Sequence, residues 1–415
     1  MANTFKFGNG EWAVGKETAL AYNDENSNFK PLPFTFDRAS TATVVNKDGL
    51  IETVGTDEPR IDFLNNTKGH LLLEPQRRND ILYSEDIESW SINGTITKEN
   101  NVAISPDGTL NAGTITTNDA SGFHRITQTI SVSSNSTYTS SLFIKKVQSQ
   151  TNYMGIGFIF TGGTTDVGYV IFDAVNGIAV SADVRIDVIS EVKDFGDYWR
   201  LQSTATDNGS NTSLQFNIYA TLSTNGTTTG LGISSPRTIW GVQLEEGSYA
   251  TSYIPTSGQS GGVTRSADSC SQTVPDGVIG QTEGAVYIEF DYLNSTGERR
   301  FIFQLGTGVD TIYARIESGQ TLTSQILNSG SGLTSTGTAL PSGINKLAIA
   351  YANNDAVIYL NGSQIAVTSS VTIPSLSDVY VGHNSGGSQT IAGIVKDFKL
   401  YNTRLSNSEL QALTS

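Results

Sequence analysis

The stretch VIYLNGSQIAV, residues 357–367, decides the fold class. A run of apolar and aromatic residues, Val357 to Leu360, meets Asn361-Gly362, and Gln364 to Val367 follows. Both central positions of a type I′ turn need positive φ, which Asn and Gly tolerate, so the stretch predicts two strands joined by a tight hairpin. Similar short runs flank it: 284–292, 300–305, 311–316, 346–351, 356–360, 378–382 and 391–401. Their apolar residues are spaced for strands, and Gly, Asn and Ser lie between them. Ser406 with Glu409 three residues on makes a capping box for one short closing helix over 406–413.

Composition extends this reading to the whole chain of 415 residues. It has 42 glycines, is rich in Ser, Thr and Asn, and only 16% of its residues are charged, which is turn-rich β composition. A net charge of −15 without a Lys/Arg cluster argues against nucleic acid and anionic membrane surfaces. The one cysteine, Cys270, leaves no internal disulfide. The start, MANTFKFGNGEW, lacks a signal-peptide pattern, and no apolar run approaches the roughly 20 residues of a membrane span. A soluble protein made in a cytoplasm is expected. Asn-x-Ser/Thr sites at Asn93, Asn211 and Asn361 are what chance supplies in such a chain.

The middle of the chain repeats the strand pattern over 126–132, 138–145, 155–160, 168–172, 199–205, 214–220 and 238–244. In the last run Ile239, Gly241 and Gln243 alternate with Trp240, Val242 and Leu244, so one apolar face is expected. Strands at this spacing make a sandwich or jelly roll. The run TSGQSGG, 256–262, reads as a flexible link. The expected organisation is therefore a small β-rich N-terminal module (1–80), a jelly-roll sandwich (81–256), a linker (257–275) and a second antiparallel sandwich (276–415). The stretch LLLEPQRRNDILYSEDIESW, 71–90, bridges two modules: Leu71 to Leu73 finish one core, Pro75 breaks the strand, and Ile81, Leu82 and Trp90 begin the next.

Two resemblances follow from these residues. The ordered segments FTFDRASTAT (34–43), DGLIE (48–52), PRID (59–62) and 71–90, closed by GVQLEEG (241–247) and TSYIPT (251–256), resemble a block of tailed-bacteriophage appendage proteins. That block typically precedes a carbohydrate-binding-like sandwich. One departure is Arg78-Asn79, where the block commonly has Thr-Asn. The runs AVIYLNG (356–362), DVYVG (378–382), IVKDFKLYN (394–402) and LSNSEL (405–410) resemble concanavalin-A-like, laminin-G-type sandwiches, which bind glycans or proteins and include some glycoside hydrolases. The appendage resemblance implies a virion location, virion partners for the N-terminal module, and a homotrimer.

Glu289-x-Asp291 places two carboxylates on one strand face, but the third position of the hydrolase pattern is Asn294, and an amide cannot protonate a leaving oxygen. Glu289 and Asp291 are therefore read as solvated positions opposite Val286, Ile288 and Phe290. The three histidines, His70, His124 and His383, accompany no nucleophile elbow and no zinc spacing. Trp199 reads as core. For binding, the rim loops 306–310 and 382–387 are the candidates: His383 offers a ring, Asn384 a planar amide, and Asp310 could join a calcium site. The same residues also suit plain turns. The expected function is a phage fibre or spike that presents glycan-binding sandwiches to a bacterial surface, without enzymatic activity. A capsid or tail structural protein that binds no sugar is the alternative, and a polysaccharide depolymerase comes third.

Overall fold

The computed structural model describes residues 4–8, 21–23, 29–31, 34–119, 121–150, 153–183, 185–223, 236–259, 261–274, 276–293 and 297–415. Within them the chain is all-β, with several antiparallel sheets and one α-helix, Asn407–Thr414. The helix starts on the expected capping box: Ser406 Oγ accepts from the Glu409 amide, and the Glu409 carboxylate accepts from the Ser406 amide.

The chain forms two compact units, one of Met1–Gln76 with Arg265–Ser415 and one of Arg77–Thr264. This corrects the expected boundaries. The first 76 residues are not a separate module; they complete the C-terminal sandwich, and the jelly roll is inserted between the two halves. The physical reason is visible in the pairing. Gly393–Tyr401, with Glu283–Tyr292 on one side, takes Thr4–Gly8 and His70–Leu73 on the other. Thr35–Asp37 pairs with Ser269–Thr273. Phe7, Phe34, Phe36, Leu71 and Leu73 are too few to close a core alone, and all five enter the core of the C-terminal sandwich.

That unit has a small two-stranded sheet, Ala42–Val45 with Ile51–Val54, and two large ones. One runs in the order Phe29–Pro31, Ala21–Asn23, Thr4–Gly8, Gly393–Tyr401, Glu283–Tyr292, Asn345–Ala352, Asp355–Leu360, Ser363–Thr368. The other runs Ser331–Ala339, Thr321–Asn328, Asp310–Ile316, Arg300–Thr307, Asp378–Val381, Ser269–Thr273, Thr35–Asp37. Val286, Ile288 and Phe290 face inward as expected and meet Leu305, Ile312, Val379 and Val381 from the second sheet. Helix residue Leu410 seals the outer side of the first sheet against Ala285, Tyr287, Ala348, Val357 and Tyr359. In the hairpin read from the sequence, Asn361 and Gly362 take φ of 48° and 79°, the left-handed region a type I′ turn requires.

The motif residues of the N-terminal segment converge on a buried ion cluster. Arg60, fully buried, binds Glu74 at 2.7 Å and both oxygens of Asp268. Arg38 reaches Asp268 at 3.2 Å, and Arg265 lies 3.5 Å from Glu74 and 3.7 Å from Asp268. Asp268 also accepts the Glu74 amide at 2.8 Å. Burial alone would favour neutral Arg60, but the charges of Asp268 and Glu74 outweigh it and raise its pKa.

The inserted unit is a sandwich of two six-stranded sheets. One is ordered Ser91–Asn93, Arg125–Ser131, Ser213–Leu222, Tyr153–Thr161, Asp166–Asp173, Ile178–Asp183; the other Thr97–Ile104, Leu110–Thr116, Arg237–Glu246, Thr137–Lys145, Tyr198–Thr206, Val188–Phe195. The alternation expected over 239–244 is interrupted. Gly241 has φ of 62° and the register against 137–145 slips there, so Ile239, Val242 and Leu244 all enter the core while Trp240 turns outward onto Phe143 and Tyr253.

The two ends of this unit are sewn together. Asn79, fully buried, donates to the carbonyls of Val242 and Ile254 and accepts the amides of Ile81 and Leu244. The Gln243 side chain accepts the Ile254 amide at 2.6 Å, and Glu245 accepts both the amide and the hydroxyl of Thr251. GVQLEEG and TSYIPT are thus two halves of one internal contact. The expected linker is likewise ordered where described: Val263–Arg265 pairs with Arg77–Asn79, and a Cβ at Gly262 would stand 2.4 Å from the Asn79 carbonyl, so only glycine fits.

Candidate functional site

The three candidate residues do not form one site. His383 is 2% exposed. Its Nε2 accepts the Cys270 amide at 2.9 Å, and Nδ1 donates to the Asn384 carbonyl at 2.8 Å, an arrangement that needs the neutral ring. Burial lowers its pKa further than the bond to the Asn384 carbonyl raises it. His383 pins the loop to its neighbouring strand and presents no face for stacking. The Asn384 Oδ1 accepts from the amides of Gly386 and Ser388, closing the turn in which it sits. Asp310 accepts the Ser329 amide at 2.7 Å and pairs across a hairpin with Thr307. The loop after Val381 instead runs beside the start of the same strand, where the Phe301 amide donates to Gln389. Asp310 and Asn384 therefore belong to opposite ends of Arg300–Thr307, and no cluster of three His, Cys, Asp or Glu that could hold a metal occurs among the described residues.

What the register does bring together is a row across the outer face of the seven-stranded sheet. Thr35 pairs with Ser271, Ser271 with Tyr380, Tyr380 with Gln304, Gln304 with Tyr313, Tyr313 with Gln325, and Gln325 with Thr334. Successive partners in a ladder stand side by side on one face, with Cβ atoms about 5 Å apart. The inward residues of the same strands, Cys270, Val379, Leu305, Ile312 and Ile326, fill the core, which forces the polar and aromatic set outward. The Gln304 amide is oriented twice: its Oε1 accepts the Ser385 amide at 3.0 Å, and its Nε2 donates to the Gly306 carbonyl at 3.1 Å. Tyr313 bonds Gln325 and packs at 5.2 Å against Phe301. Tyr380 meets His383 edge-on at 5.7 Å, so the histidine supports the row from the side. None of these residues is marked in the sequence, because partners in the row lie as far apart as Thr35 and Ser271 and only strand order aligns them.

The carboxylates read from the strand also rearrange. Glu289 stands opposite Asp397, not beside a working Asp291. Lys396 lies 3.5 Å from Glu289, and Lys399 pairs with Asp397. Burial raises the Asp397 pKa and the Glu289 charge adds to this, while Lys399 opposes both. Asp291 accepts the amide of its neighbour Tyr292, and Asn294 lies outside the described residues. Of the other histidines, His70 lies 3.4 Å from Asp62, and His124 accepts the Thr95 amide at 2.9 Å. Trp199, read as core, is only partly buried: it packs against the jelly-roll core from its edge and donates to the Ala174 carbonyl.

Residues 268–411 match the Laminin_G_3 family model, described as the concanavalin A-like lectin/glucanases superfamily. They form a concanavalin A-like, laminin G-like domain. No curated protein matches the chain. Among solved structures, the CBM40 of Ruminococcus gnavus IT-sialidase, bound to α2,3-sialyllactose, is 17% identical over 33% of this chain and 84% of that one, with a TM-score of 0.29. A heptameric SAP-like pentraxin from Limulus polyphemus is 16% identical over 32% and 70%, with a TM-score of 0.27. The binding domain of botulinum neurotoxin serotype G is 12% identical over 35% and 39%, with a TM-score of 0.30.

Proposed function

We propose that this chain is a glycan-binding attachment protein, a fibre or spike subunit of a bacteriophage virion, and that it meets bacterial surface sugar through the outer face of its seven-stranded sheet. The observation that carries the reading is the aligned row Ser271, Tyr380, Gln304, Tyr313, Gln325 and Thr334. A pyranose offers an apolar face of C–H bonds and a rim of hydroxyls. Tyr380 and Gln325, both part-exposed, offer a ring and a planar amide to those two surfaces, while buried Gln304 and Tyr313 (5% and 7% exposed) hold them in register. The lectins in the superfamily matched by 268–411 support the same class of ligand. The virion location and a homotrimer rest on the appendage-like block over 34–256. Repetition of a weak site on a trimer would then supply avidity.

The test is retention of the full-length chain on an array of bacterial surface polysaccharides, with and without calcium. Retention is expected to be independent of calcium, to fall in Tyr380→Ala, and to survive in Asn384→Ala. Retention untouched by Tyr380→Ala but lost in Asn384→Ala would return the site to the loop. No retention from a folded oligomer would leave the protein-contact reading. That reading is favoured by one feature of the inserted unit: Ile104 and Leu110 face each other across a hairpin, 54% and 56% exposed.

A further inference from the structure

We infer that the sugar taken by this face carries an anionic group, a carboxylate or a sulfate ester, seated on Arg315 and Arg299. The inference rests on the sugar-binding reading above and adds the charge class of the ligand. Arg315 lies two residues after Tyr313 on the same outward side of its strand, about 7 Å along, a span comparable to one monosaccharide. A single carboxylate positions both arginines: Glu317 accepts Arg315 Nε at 2.7 Å and Arg299 Nε at 2.8 Å. Burial works against the Glu317 charge, but bonds from Arg315, Thr323 and Arg299 hold its pKa below the ordinary value. Both guanidinium groups are thus fixed through Nε alone. Among the described residues no acceptor meets the terminal nitrogens of either.

Two aromatic rings hold the plane of Arg315, whose guanidinium carbon lies 5.1 Å from the centre of Tyr313 and 5.8 Å from that of Phe301. The side chain keeps 20% of its surface and Arg299 keeps 50%, so an incoming anion can reach both. Two guanidinium groups against one carboxylate leave a local charge of +1 on a chain whose net charge is −15. A planar fork with unused donors matches a carboxylate or sulfate, and a point charge such as lysine would match it less well. At physiological salt the screening length is about 8 Å, so the negative charge elsewhere on the chain does little to oppose contact at this spot.

The test compares retention of the full-length protein on polygalacturonate, dextran sulfate and neutral dextran, and on the charged and neutral members of the polysaccharide array. The wild type is expected to favour anionic polymers. Arg315→Gln should weaken this by about ten-fold or more, and Arg315→Lys should restore only part of it. Arg299→Gln, at a half-exposed position, is the second variant, and a urea midpoint for each verifies folding. Retention on polygalacturonate alone identifies a carboxylate; retention on dextran sulfate as well identifies the wider anionic class. If neutral polymers are retained and Arg315→Gln and Arg299→Gln bind as the wild type does, this inference falls and the sugar reading stands. If no polymer on either panel is retained, both fall.

Discussion

Replacing Asp268 by Asn should destabilise one unit and spare the other. Asp268 faces Arg38, Arg60 and Arg265 and accepts the Glu74 amide, all at positions shielded from water. Removing its charge leaves three guanidinium groups facing Glu74 alone within the cluster. Breaking a buried pair by deleting one partner costs about 3–5 kcal/mol, since the surviving charge stays desolvated. For a unit of this size each kcal/mol moves Tm by about 2–4 °C, so a fall of about 6–20 °C is expected. Scanning calorimetry of the full chain should show two transitions, one for Met1–Gln76 with Arg265–Ser415 and one for Arg77–Thr264. Only the first should move. A shift below about 2 °C, or an equal shift in both, would refute the argument that the cluster clamps the N-terminal segment to the laminin G-like domain.

Two other outcomes follow from the same structure. A fragment of 265–415 should fail to fold, because it lacks Phe7, Phe34, Phe36, Leu71 and Leu73, whereas 77–264 should fold alone; near-ultraviolet circular dichroism separates the two cases. Burial raises the Asp80 pKa to about 6, with Arg78 opposing and Glu246 adding to it. The folded value lies above the unfolded one, so this stabilisation is complete below about pH 4 and is lost as pH rises through about 6. Asp80→Asn should flatten the pH dependence of the second transition in that window, and an unchanged slope would remove the assignment.

The strands that could be read from the sequence are those buried on at least one face. Runs such as 138–145 and 214–220 were legible because the core demands their apolar residues, and the observed strands Thr137–Lys145 and Ser213–Leu222 enclose them. Thr97–Ile104, Val188–Phe195 and Ser331–Ala339 were not legible. They are sheet-edge strands whose side chains are mostly in solvent, so no apolar period marks them. The slip at Gly241 was hidden for another reason: a bulge is a property of the partner strand's register as much as of its own residues.

Local chemistry by itself determined the all-β class, the hairpin at Asn361-Gly362, the capping box at Ser406, and the change of core within 71–90. Each depends on residues a few positions apart, whose φ preferences and burial period act before any distant contact forms. Tertiary structure decided what those elements join. The N-terminal residues look like a module of their own until Gly393–Tyr401 offers them an edge and Asp268 offers their arginines a counter-charge. His383 and Asn384 look like a site until the loop turns them to its own support. The row from Ser271 to Thr334 exists only because strand order places side chains from six separate stretches in register, and no local pattern records that order.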